Sequence, residues 1–177
     1  MHRNRKHIVM RYQKTYEAND KMISLIKDNY NLLQTLGRFN INLGFGDKTV
    51  REVCEDNDVD CATFLAIINF TINDLRVVDD IEKLSVPTLL HYLKASHTYY
   101  LDFQLPFIRK ELCEALNPDD GLGKLILRFY DEYAAEVRKH MRYEEKTVFP
   151  YVENLLEGKV AEDYDIETFS KHHGQVD

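Results

Sequence analysis

The sequence predicts an all-α protein, an up-down helical bundle preceded by a small helical N-terminal domain, with residues 1–80 in the first part and 81–177 in the second. Three observations lead there. Only 7 Gly and 4 Pro occur in 177 residues, so little of the chain is set aside for sharp turns. Apolar residues recur at steps of three and four over long stretches, which is the period of one helix face. The longest of these stretches are joined by short turn-like segments, as antiparallel helices of a bundle are.

In chain order, residues 12–36 place Met22, Leu25, Ile26, Tyr30, Leu33 and Leu36 on one stripe, predicting a single amphipathic helix stopped by Gly37. GRFNINLGFGDK, 37–48, is rich in Gly and Asn and reads as a loop. TVREVCEDNDVDCATFLAIINF, 49–70, predicts two short helices, about 49–55 and 61–71, the second capped by Asp60. DLRVVDDIEKLSV, 74–86, is a charged linker. A long helix then starts with Ser85 as N-cap and Pro87 in its first turn, and Pro106 should kink it. NPDDG, 117–121, is a turn. The next helix runs from about 122 to 156 with a second kink at Pro150, and a last segment begins near Ile166.

Composition narrows the function. A net charge of −7 disfavours a broad phosphate-binding surface, because nucleic-acid affinity rests on clustered Lys and Arg. The basic start, MHRNRKH, is followed by no apolar stretch of the secretory kind, and CATFLAIINFTIN, 61–73, is too short to span a bilayer. A cytoplasmic protein without membrane contact is expected. Cys54, Cys61 and Cys113 form no CxxC and read as reduced core thiols. No Gly-rich phosphate loop, G-x-S-x-G elbow or Cys–His pair supports nucleotide-dependent or nucleophilic chemistry.

The informative residues are polar ones at core positions. On the helix from about 122, Leu125, Phe129, Tyr133 and Val137 form a stripe that continues through His140, Glu144 and Val148. Glu145 falls on its flank, about 100° further round. On the preceding helix, Leu90, Leu93, His97, Tyr100, Gln104 and Ile108 follow the same rule. An unpaired ionised carboxylate in a core costs several kcal/mol, whereas a metal ion reverses that sign. His97, then His140 with Glu144, then His172–His173 offer donors from three consecutive predicted helices, suited to iron, manganese or zinc.

SHTYYLDFQLP (96–106), RKHMRYEEKTVFPYVENL (138–155) and FSKHHGQVD (169–177) together resemble the hemerythrin-like, HHE cation-binding domain of the RIC group, di-iron proteins linked to repair of iron centres after oxidative and nitrosative stress. Residues 36–70 resemble the small N-terminal domain of the same group. The resemblance implies metal ligands at His97, His140, Glu144 and His173, or His172 in place of His173, with Glu144 able to bridge two irons. It implies a non-haem di-iron cofactor and O2 or NO as small ligands, or donation of iron to damaged clusters. The sequence departs from the family's pattern at three points. No histidine occurs from 98 to 139, the residues up to Asp177 do not include the family's last helix with its further histidine and second carboxylate, and Leu43-Gly44-Phe45-Gly46 stands where many relatives carry adjacent cysteines. Four matched side chains suit a partial site. Three routes stay open: a piece of a longer protein, a homodimer whose second chain completes the bundle, or a protein holding one metal or none.

Two rival readings come from other classes. Residues 49–71 also have helix-turn-helix spacing, as in a DNA-binding transcriptional regulator with a sensory bundle, but 61–71 carry no Lys or Arg and Glu55, Asp56, Asp58 and Asp60 crowd the entrance. The other rival is a metal-free helical interaction module, to which the 11 Tyr would lend a partner surface.

Overall fold

Every extended regular element among the residues that the computed structural model describes, 14–73, 81–117 and 120–159, is helical, as the periodicity predicts. Backbone pairing across strands is confined there to an isolated antiparallel bridge between Lys21 and Thr49. The chain divides into two units, Met1–Thr88 and Leu89–Asp177.

The first unit holds α1 (Met22–Asp28), α2 (Leu32–Arg38), α3 (Val50–Asp56) and α4 (Cys61–Asn73). The single helix expected over 12–36 is two helices, broken at Asn29–Asn31. Tertiary bonding accompanies the break: the Asn29 side-chain Nδ2 donates to the Tyr16 hydroxyl, which itself donates to Asp28 at 2.8 Å. The interruption changes the register, so Leu32 enters the core while Tyr30 and Leu33 are exposed. Gly37 is not the stop either. It lies inside α2, and the chain turns at Asn40, whose φ of 57° is a left-handed conformation that asparagine tolerates.

Thr49 and Glu52 close a reciprocal capping box on α3, with the Glu52 N–H donating to Thr49 Oγ1 at 3.2 Å and the Thr49 N–H to Glu52 Oε2 at 2.7 Å. Asp60 caps α4 as expected, accepting from the Thr63 N–H at 2.8 Å. The helices close around Phe39 and Phe64, which meet edge to face at 5.2 Å. The exposed residues Ala62, Phe70 and Thr71 of α4 are uncharged. Of the three thiols, Cys54 is buried and Cys61 half-buried, and burial pushes both thiols up from the ordinary cysteine range. Cys113 departs from the core-thiol expectation: it is exposed on α6.

The second unit is a helical hairpin. Ser85 caps α5 (Val86–Tyr99), accepting from the Thr88 N–H at 3.3 Å. The helix then passes through a π-helical turn, Tyr100–Gln104, into α6 (Leu105–Ala115). After a short connection, α7 (Gly121–Tyr143) passes through a second π-turn, Glu144–Val148, into α8 (Phe149–Leu156). The connection requires a glycine, because a Cβ at Gly123 would lie 2.6 Å from the Asn117 carbonyl oxygen. Arg109 pairs with Asp131 at 2.7 Å, the Tyr130 hydroxyl donates to the Leu105 carbonyl, and Lys94 pairs with Glu153. These pairs run in opposite chain directions, so the two long helices are antiparallel.

The expected kinks at Pro106 and Pro150 take a particular form. Each proline follows a π-turn by one residue, and the turn is closed by a bond from i to i−5: Leu105 N–H to Tyr100 O, and Phe149 N–H to Glu144 O. A proline ring collides with the carbonyl four residues back in a regular helix, and the wider turn relieves that collision. The apolar stripe on α7 is corrected in its first half. Leu125, Phe129 and Tyr133, expected in the core, are exposed, because nothing among the described residues packs over that face.

Thr49→Ala should remove the bond that Thr49 Oγ1 accepts from the Glu52 N–H and destabilise the first unit by about 1 kcal/mol, read as a lower urea midpoint. In native protein at pH 8, iodoacetamide should alkylate Cys113 first and leave Cys54 protected, as mass spectrometry of timed digests would show.

Candidate metal centre

The centre is built where α5 faces the second π-turn. Leu90, Val148 and Phe149 form a buried cluster, with Leu93, Tyr143 and Val152 against it. This cluster holds the two helices together at one level. His97 lies one turn beyond Leu93, and its side chain is only 6 % exposed. Its ring stacks on Phe149, with centroids 5.3 Å apart and 29° between planes. The imidazole plane is therefore set by packing before any polar contact is counted.

Glu144 opens the π-turn and points its carboxylate between two histidines. Oε2 lies 3.1 Å from His97 Nε2, and Oε1 lies 3.4 Å from His140 Nε2. Glu144 is 14 % and His140 21 % exposed at the side chain. The sequence-derived placement of His97, His140 and Glu144 on facing interior positions thus matches where these side chains lie. His172 and His173 fall outside the described residues.

Sequence periodicity missed one participant. Glu145, assigned to the flank, approaches the other ring nitrogen of His97, with Oε1 3.2 Å from Nδ1. Consecutive residues of an α-helix diverge by about 100°. The extra residue in the π-turn lowers that divergence, and so Glu144 and Glu145 both reach one imidazole. The available signal was Pro150 a turn or so after two adjacent glutamates, a proline placement that calls for local widening. The same shift brings Phe149 inward together with Val148.

The donor types, imidazole nitrogen and carboxylate oxygen, are those that divalent transition metals take. Two donors bound to one ion at about 2.0–2.2 Å and about 90–110° to one another stand roughly 2.8–3.6 Å apart. Both His–Glu144 separations lie in that range. Number is what falls short: among the described residues no three His, Cys, Asp or Glu side chains are grouped so that they could hold a metal ion. The geometry gives the reason. Glu144 turns a different oxygen to each histidine, so each gap is flanked by one nitrogen and one oxygen.

The family model for the hemerythrin HHE cation-binding domain matches residues 88–177. The chain belongs to this family. As a hemerythrin-type HHE protein it is a helical-bundle, metal-binding type of chain, in agreement with the donors gathered at Glu144. No curated protein and no solved structure matches the chain. Among the described residues, no helix is long and apolar enough to cross a membrane.

Phe149→Ala should remove both the stacking partner of His97 and the centre of the Leu90–Val148–Phe149 cluster. We expect a loss of about 3–5 kcal/mol in chemical denaturation followed by circular dichroism.

Proposed function

We propose that the bundle is a non-haem iron-binding module acting in the oxidative or nitrosative stress response, through O2 or NO handling or donation of iron to damaged iron–sulfur clusters. The observation that carries the metal reading is the Glu144 carboxylate suspended between His97 and His140, one oxygen to each. A carboxylate in that position would be able to bridge two ions, as the family resemblance implies. His97 and His140 would supply one nitrogen each, and His173 would add a further donor. When bound, iron supplies a redox-active Lewis acid able to take up O2 or NO.

What the chain's own residues contribute is separate from the ion. Phe149 covers one face of the His97 ring. A cation between the imidazoles would offset the cost of holding the Glu144 carboxylate mostly away from water. The stress and repair assignment is the narrower part of the proposal. It is supported by the resemblance of 96–106, 138–155 and 169–177 to the RIC group, and by that of 36–70 to the group's N-terminal domain.

Metal analysis of anaerobically purified protein, with absorption spectra before and after exposure to air or NO, tests both parts. Bound iron whose spectrum responds to either gas is the expected result. His140→Ala and Glu144→Ala should each reduce bound metal by about tenfold or more, as loss of a direct ligand does. Unchanged metal content in both variants would sink the assignment.

A further inference from the structure

We infer that Glu145 is the positioning residue for His97: its carboxylate takes the Nδ1–H and thereby leaves the Nε2 lone pair directed at the gap beside Glu144. The inference rests on the metal reading of that gap.

A neutral imidazole carries one proton and one lone pair, and the hydrogen bond made by one nitrogen decides the state of the other. In this structure both nitrogens of His97 face a carboxylate, Nε2 toward Glu144 at 3.1 Å and Nδ1 toward Glu145 at 3.2 Å. A lone pair pointed at Glu144 Oε2 is repelled unless a cation stands between them, whereas a proton there occupies the position a cation would take. Glu145 resolves this competition by offering the ring an acceptor on the opposite side. The ring is already held in plane by Phe149, so the Nδ1–H bond sets its remaining freedom, the choice of which nitrogen carries the proton.

The two glutamates differ as their tasks require. Glu144 is 14 % exposed and sits inside the site, while Glu145 is 40 % exposed and keeps water on part of its carboxylate. An orienting carboxylate behind a ligating histidine raises ligand basicity and fixes the ring, and its loss typically weakens metal affinity by 10–100-fold. The π-turn favours the division of labour between adjacent residues, since it narrows the angle between their side chains.

Two measurements on the full chain test the inference. In metal-free protein with 15N-labelled histidine, two-bond proton–nitrogen correlation spectra report which ring nitrogens of His97 are protonated, with H97Q identifying the signals. We expect Nδ1 to carry a proton in the wild type and in E145Q, whose amide oxygen still accepts, and to be bare in E145A. Anaerobic competition titrations of iron(II) against a chromophoric chelator should then show E145A weaker by about 10–100-fold and E145Q near wild type. Circular dichroism melts should be alike for all three. A protonated Nδ1 in E145A, or wild-type affinity in that variant, overturns the inference, and E145Q falling with E145A overturns the hydrogen-bond role in favour of plain charge attraction. Unchanged affinity in H97Q and Glu144→Ala would instead overturn the metal reading, and the nitrogen spectra would still decide the role of Glu145.

Discussion

A carboxylate held mostly away from water must find partners, and in the second unit much of the structure is arranged around that requirement. Glu144 is 14 % exposed, and a charge so placed costs several kcal/mol if nothing answers it. Two imidazoles flank it from two helices, one at each oxygen, with room for a cation to answer the charge. His97 is itself buried and in turn needs its own support, which Phe149 gives through its ring face and Glu145 through Nδ1. The apolar cluster at Leu90, Val148 and Phe149 keeps these groups at hydrogen-bond range of one another.

The two π-turns are the backbone's part in this arrangement. Tyr100–Gln104 and Glu144–Val148 each precede a Leu-Pro or Phe-Pro pair, and each is closed by an i to i−5 bond from the residue before the proline. The proline has no N–H to lose and its ring needs room, so the widened turn costs less there than elsewhere in a helix. A device that looks like a defect in the hydrogen-bond ladder therefore also re-aims side chains. In the second turn it brings adjacent glutamates onto one histidine and moves Phe149 to the interior.

The two units differ in how they are held. The most completely buried large residues of the described chain, among them Tyr16, Phe39, Phe64, Met22 and Leu25, all belong to the first unit. Its helices are short, and α3 and α4 are locked by side-chain caps and by a core that closes on itself. The second unit has long helices and a thin cluster, with Leu125, Phe129 and Tyr133 left exposed along α7. Its order depends more on the polar site and on the pairs Arg109–Asp131 and Lys94–Glu153, which are surface ion pairs of modest worth and serve chiefly to hold register.

Much of this was written in the sequence. A 3.6-residue period dictates helices, a side chain at i and another at i+4 share a face whatever the surroundings, and so His140 with Glu144 on an otherwise apolar stripe declared an inward polar site. Ser85 and Asp60 act through bonds within three residues, which is why such caps can be read locally. Tertiary structure decided the rest. It broke the helix at Asn29, whose side chain bonds the Tyr16 hydroxyl, left half of the α7 stripe exposed, and brought Glu145 to His97 across 48 positions of chain. Periodicity assumes a constant turn angle, and it fails at Glu144–Val148 because a proline and the packing of a facing helix select a wider one.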